Sequence, residues 1–401
     1  MNETLGLYIH IPFCRSKCAY CDFYSLSGRE ARMDDYQRAL LAHLAESAPS
    51  AASYTVDTVY FGGGTPSFYG DARLIELLKC IKKKYNVDKN AEITLEANPD
   101  SVDLKMLKRL RKAGFNRISL GVQSADDAQL SSLGRPHSFE QARQAVDAAR
   151  KAKFQNLSLD LIYGLPGQTP ESWQNTVEQV LALEPDHISA YGLKVEEGTP
   201  LWQRVENGEV LPDDDAQADC YLWTVERLEQ AGYGQYEISN FAKPGMLSRH
   251  NCRYWMTQPY MGFGPGAHSD FGARRYSFVR NLEGYIKGVL EGGSIVDEDD
   301  PIPLSERSGE YLMLRLRTAH GIEEWEYRRE YRMNFAPIEQ KLLEFERQGL
   351  ACRSDRRWRL TPKGFLLSNA IIGTLLELQE QATLAETLAR VRDETRPMNE
   401  A

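Results

Sequence analysis

Three cysteines are crowded into eight residues near the start of the chain, in Cys14-Arg-Ser-Lys-Cys18-Ala-Tyr-Cys21. They follow the apolar run LGLYIHI, which predicts a short loop after a first strand, where backbone amides can also hydrogen-bond to sulfur. Three thiolates on a 4Fe-4S cluster leave one iron open. The amino and carboxylate groups of S-adenosylmethionine can chelate such an iron, so that one electron cleaves the sulfonium. Two plainer readings stand beside this one: a structural zinc site and three unconnected thiols. Closed zinc sites take four ligands, and the nearest candidates, His10 and Asp22, sit in or beside the strand rather than at a second knuckle. Cys80, Cys220 and Cys352 are isolated in helical or strand patterns and read as buried free thiols.

The elements that must position this loop are visible as an alternation of short β-rich runs and longer amphipathic stretches up to about residue 235. Strands are predicted over 5–11, 56–61, 91–97, 116–121, 157–163 and 186–192. Helices are predicted near 33–47, 71–84, 103–113, 138–152, 170–182 and 214–231, with Asp71, Ser138 and Thr169 as candidate caps. Six β-α units of this kind imply an α/β fold on a parallel sheet, which places ligands outside the carboxyl ends of its strands. Those ends read IPFCRSKC, GGGTP, EANPD, GVQS, YGLPG and YGLKVEEGTP, a concentration of polar and glycine residues beyond what turns require.

Residues 236–300 break this rhythm with an aromatic, glycine-rich stretch that reads as an irregular binding segment. Residues 301–384 predict a small helical, winged-helix-like domain, and 385–401 a charged, disordered tail. At 401 residues the chain has material for two or three units. No apolar stretch reaches the roughly 20 residues of a membrane span, and no secretion signal is visible at the start. The expectation is a soluble protein that is not integral to a membrane. The odd count of seven cysteines and their clustering suit a metal site in a reducing compartment, so the cytoplasm is the expected location. A formal net charge of -9 disfavours nucleic acid as a partner. The sequence leaves a homodimer and a peripheral membrane contact open.

With CRSKCAYC followed by GGGTP, the sequence resembles the radical S-adenosylmethionine (radical SAM) superfamily. The runs YIHIPFC, EANPD, GVQS and DLIYGLPGQT narrow the resemblance to the oxygen-independent coproporphyrinogen III oxidases and their HemW-type heme chaperone relatives, over nearly the whole chain. It implies a partial (β/α)6 barrel followed by a small winged-helix-like domain. Carried over by position, it implies a cluster on Cys14, Cys18 and Cys21 with Tyr8 and Tyr20 close by. It also implies that Gly63, Gly64 and Thr65 cradle the methionyl part of S-adenosylmethionine, that Glu96 binds cofactor hydroxyls, and that Gln123, Arg135 and Asp160 complete the set. These residue types suit such roles, because glycine permits close backbone approach, a carboxylate accepts from ribose hydroxyls, and arginine pairs with a carboxylate. Taken singly, the glycines would be a turn, Asp160 a strand-end cap and Arg135 a surface ion pair.

Two departures point from oxidase to chaperone. The oxidases carry a further cysteine two residues after the third ligand, where this chain has Phe23. Residues 250–255, His-Asn-Cys-Arg-Tyr-Trp, resemble the HNxxYW signature of the HemW type. That resemblance implies a heme site in which His250 ligates iron while Tyr254 and Trp255 supply flat apolar partners. Cys252 and His268 are rival ligands. The expected function is uptake of heme and delivery to recipient hemoproteins, with radical decarboxylation of coproporphyrinogen III as the alternative. Radical modification of tRNA is a distant third, set against the acidic balance.

Overall fold

The computed structural model describes residues 3–394. Six parallel strands, β1 (Thr4–Ile11), β2 (Thr55–Gly63), β3 (Val87–Ala97), β4 (Arg117–Gln123), β5 (Asn156–Tyr163) and β6 (His187–Gly192), pair in sequence order with helices between them. This is the α/β architecture expected, a partial barrel that does not close on itself. Its strands read as near-continuous apolar runs because helices cover one face and side chains fill the other: Leu5, Leu7, Ile9 and Ile11 of β1 are all fully buried.

The helices begin where short polar side chains can satisfy their first N–H groups. Ser138 and Thr169 form capping boxes with Gln141 and Ser172. Asp71, expected as a cap, instead occupies the first turn, and Gly70 holds the cap position with a positive φ of 96°. An aspartate there still favours the positive end of the helix dipole.

After β6 come β7 (Gly234–Glu237) and β8 (Asn240–Ala242), β8 lying antiparallel to β6. The expected irregular segment is ordered. It holds the helix Arg249–Trp255, then β9 (Tyr260–Phe263), β10 (His268–Phe271), β11 (Arg274–Phe278) and β12 (Val296–Pro301). Strand β9 joins β1 in parallel, and the next three continue antiparallel to the sheet edge. Runs of four to six residues are too short for an alternating pattern to stand out among glycines and aromatics.

The chain divides into two compact units. The first holds residues up to Gln235 with Ser239–Arg253 and Gln258–Pro301; the second holds Tyr236–Ile238, Tyr254–Thr257 and the chain from Ile302. The second unit contains a three-stranded antiparallel sheet, β13 (Ile322–Glu323), β14 (Ala351–Ser354) and β15 (Arg357–Leu360), in the order β13-β15-β14, with helices Leu304–Arg315, Glu324–Tyr331 and Ala336–Arg347. Its final helix runs Ser368–Glu394, ten residues into the stretch expected to be a disordered tail; residues 395–401 lie outside the described residues. Among the described residues no helix is long and apolar enough to cross a membrane.

Candidate functional site

The cysteine loop leaves β1 at Ile11 and is tied back on itself by Leu26 N–H to Pro12 O and Cys14 N–H to Leu26 O, at 2.7 and 2.9 Å. The glycine loop after β2 docks on it, with Gly64 N–H on Ile11 O and Thr65 N–H on Phe13 O, both 2.8 Å. That docking explains the glycines. A Cβ on Gly64 would stand 2.8 Å from Ile11 O, and one on Gly63, where φ is 111°, would stand 2.5 Å from the His10 ring. The two loops are thereby fixed against one another by backbone contacts that a larger residue would prise apart.

Cys14, Cys18 and Cys21 share the wall of a cavity of about 430 Å³ at the carboxyl ends of the strands. Thr65 Oγ1 donates to Cys14 Sγ and the Arg135 guanidinium to Cys18 Sγ, each at 3.4 Å. Arg135 is held in turn by Asn98 Oδ1 and Gly121 O, both 2.8 Å. Burial pushes the Cys14 and Cys21 thiols up, against hydrogen bonds that favour the thiolate. Metal must therefore displace protons from them.

Carboxylates line the same cavity. Glu96 accepts from the Tyr60 hydroxyl at 2.6 Å and from Gly63 N–H at 3.1 Å, and burial pushes its carboxyl up to about 7. Asp160 accepts from Ser119 of β4, Ser158 of β5 and Ser189 of β6, at 2.8–3.2 Å. Burial raises its pKa while those hydroxyls and the Arg117 charge oppose the rise. Gln123 ends β4 in a left-handed conformation, φ 66°, at an irregularity in the pairing of β4 with β5. A constrained backbone of this kind turns the carboxamide into the cavity wall.

The fold thus brings Cys14, Cys18, Cys21, Tyr20, Gly63, Gly64, Thr65, Glu96, Gln123, Arg135 and Asp160 to one cavity. Tyr8 is not among its lining residues; it lies half-buried on β1, stacked on Tyr60 with its hydroxyl 3.0 Å from His10 Nδ1. Asn98, Arg117, Ser119, Ser189 and Asn251 also line the cavity and were missed by sequence reasoning. Only Asn98, in the strand-end run EANPD, and Asn251, in the HNxxYW run, offered a signal.

The HNxxYW run is divided. Asn251 faces the cavity, whereas His250 is fully buried on its other side. The His250 ring lies 2.9 Å from Thr58 Oγ1 through Nδ1 and stacks 5.1 Å from the Tyr60 ring. Its backbone N–H and that of Arg249 donate to Glu92, and Arg253 pairs with Asp57 beneath it. Burial and the Arg253 charge lower its pKa to about 3. In this structure the imidazole is fully enclosed and its contacts seat its helix on β2. Tyr254 and Trp255 are half-buried in the second unit, Cys252 is half-buried, and His268 is exposed on β10.

Among the described residues no three His, Cys, Asp or Glu side chains converge as a single metal ion would require. A cluster asks for something different, one thiolate per iron at separate corners. Three thiols lining one cavity, Cys14 and Cys18 hydrogen-bonded by Thr65 and Arg135, fit that demand, and carboxylate acceptors in the same cavity fit a cationic cofactor bearing ribose hydroxyls.

Residues 8–180 match the radical SAM superfamily and 302–367 the HemN C-terminal domain. The structure is similar to Escherichia coli coproporphyrinogen III oxidase (HemN), a radical SAM enzyme, with a TM-score of 0.82 and 26% identity over 93% of this chain and 90% of that one. The heme chaperone HemW of Bacillus subtilis is 34% identical over 92% of this chain and 98% of its own length. This chain belongs to the HemW family. The E. coli HemW is likewise 34% identical, over 93% of this chain and 98% of its own length. As a radical SAM family, HemW carries the superfamily's 4Fe-4S cluster and S-adenosylmethionine, for which the cavity described above has suitable donors.

Proposed function

We propose that this protein is a heme chaperone of the cytoplasm, which takes up heme and passes it to recipient hemoproteins. In this reading Cys14, Cys18 and Cys21 each ligate one iron of the cluster and leave the fourth for S-adenosylmethionine. Arg135 and Thr65 stabilise the thiolate charge, Glu96 accepts from the ribose hydroxyls, and Gln123 and Asp160 close the wall. When bound, the pair supplies one-electron cleavage of a sulfonium; whether by chemistry or by shaping the fold, its place is to support heme handling.

The observation that carries the reading is Phe23. It lies at the cavity wall, 71% exposed, two residues after the third thiol. An exposed phenyl ring offers neither proton nor hydrogen atom to a propionate side chain, but it offers a flat apolar face. HemW relatives that align over 98% of their own length support the same choice.

The test is anaerobic cluster reconstitution followed by two incubations, one with heme and one with coproporphyrinogen III, S-adenosylmethionine and a low-potential reductant. A stable heme complex with no decarboxylated porphyrinogen is expected. Turnover of coproporphyrinogen III would return the protein to the oxidases.

A further inference from the structure

A second cavity, of about 370 Å³, lies in the first unit away from the cysteine loop. It opens between the carboxyl ends of the helices Met33–Ser47 and Leu282–Glu291 and the face of β9 and β11, and Met261, Phe263, Tyr276 and Phe278 form its apolar side. His43 stands in its wall. The imidazole is 6% exposed, packed edge-on against Phe278 at 4.7 Å and Phe263 at 5.0 Å between ring centroids. Its Nδ1 lies 2.7 Å from the Tyr285 hydroxyl, whose oxygen also receives the Gly264 N–H. Its Nε2 has no hydrogen-bond partner among the described residues, yet it is not sealed off from solvent either. His43 lines the cavity while Tyr285, which holds Nδ1, does not, so Nε2 is the nitrogen left to face it.

We infer that His43 is the axial iron ligand of a heme seated edge-on in this second cavity. The inference rests on the chaperone reading above and gives it a site. When Nδ1 donates to the Tyr285 oxygen, the Nε2 lone pair faces the cavity, the arrangement by which a hydrogen bond at one ring nitrogen orients the other toward metal. The aromatic rings clamp the imidazole plane and offer apolar surface to a macrocycle. Burial keeps the ring neutral, as a ligand must be, by lowering its pKa to about 4.

The other histidines are placed differently. His10 is engaged at both nitrogens, by Tyr8 and Tyr24. His137, His187 and His250 are buried, bonded to Val122 O, Ser158 and Thr58, and line neither cavity. His268 and His320 are exposed and line neither cavity. No lysine or arginine lines the second cavity, so the propionates of a bound heme point outward to solvent. A cargo held by one iron bond and apolar contact, without ion pairs, is one that can be handed on.

The experiment is a heme titration of the cluster-loaded full chain, read as a Soret difference spectrum. Wild type is expected to saturate at one heme. His43→Ala should lose that band and His43→Met should shift it, because a thioether replaces the imidazole. Tyr285→Phe should weaken binding by about tenfold, the lower range for removing a partner of a metal-ligating histidine. Ser47→Trp, which fills the cavity and leaves the ligand in place, should lower affinity and keeps the test open should the His43 variants fold poorly. His268→Ala should match wild type. A wild-type spectrum and affinity in His43→Met and Ser47→Trp overturn the site while the chaperone reading survives. Absence of saturable heme binding in wild type overturns the chaperone reading itself, and this site with it.

Discussion

The Tyr60 hydroxyl donates to Glu96 Oε1 across 2.6 Å, from β2 to β3, and with the Gly63 N–H it fixes a carboxyl in the cavity that burial holds near a pKa of about 7. Because the folded-state value lies above the ordinary 4.5, the unfolded chain ionises first as pH rises. The stability that the neutral carboxyl allows is complete below about 4.5 and is lost as pH rises through about 7. Ribose hydroxyls, in contrast, are better bound by the carboxylate. Affinity for S-adenosylmethionine should therefore rise with pH across about 7 in wild type and lose that dependence in Glu96→Gln, as measured by calorimetry on cluster-loaded protein. An equal pH profile in the two proteins would place the titrating group elsewhere.

The Arg135 guanidinium, 3.4 Å from Cys18 Sγ, places a fixed cation beside the cluster thiolates. Removing it should disfavour the more negative, reduced cluster. Arg135→Met is expected to retain iron and sulfide but to shift the midpoint potential downward, read by spectroelectrochemistry. An unchanged potential would limit Arg135 to holding Asn98 and Gly121.

Single alanine changes at Cys14, Cys18 or Cys21 should abolish the visible iron-sulfur absorption, while Cys80→Ala and Cys352→Ala, outside the cavity, should keep it. Gly64→Ala should behave partly like a ligand loss, since the added methyl meets Ile11 O at 2.8 Å and pushes the two loops apart. Iron content after reconstitution is the measurement, and full occupancy in Gly64→Ala would contradict the docking role given to that glycine.

His250 and Thr58 should be stability residues. His250→Ala removes a fully buried ring and its hydrogen bond, at a cost of about 2–4 kcal/mol. Thr58→Val removes the hydroxyl that pairs with His250 Nδ1 and accepts from Arg253 Nε, at about 1–3 kcal/mol. Urea unfolding gives these values, and heme spectra of folded His250→Ala should match wild type. A lost Soret band in that variant would restore His250 as the ligand.

The six-strand frame was legible because each buried parallel strand is a continuous apolar run ended by glycine or polar residues, and predicted and observed strands differ by only a few residues at their ends. The cluster loop came from the spacing of its three cysteines, and Glu96, Gln123 and Asp160 from the family resemblance, not from the strand pattern. What escaped was convergence from separate elements. Arg117 begins β4 and reads as an ordinary strand-start cation, yet its side chain crosses to Glu96 and Asp160. Asn251 and His250 are adjacent in sequence, and on a helix adjacent residues face about 100° apart, so one reaches the cavity and the other the core. His43 lies in an amphipathic helix as one more core position; its open nitrogen exists only because β9 and β11 fold beside it.

A chaperone is defined by delivery, so heme transfer itself is the decisive measurement. Cluster-loaded protein carrying one heme should be mixed with an apo-hemoprotein whose holo form has a distinct spectrum, in the presence of an excess of a heme scavenger. The acceptor spectrum should appear at the expense of the donor band while the scavenger stays largely empty, and coproporphyrinogen III should be left unchanged by the same preparation. Heme lost to the scavenger with no acceptor formed, or porphyrinogen decarboxylated at catalytic rates, would contradict a delivery role.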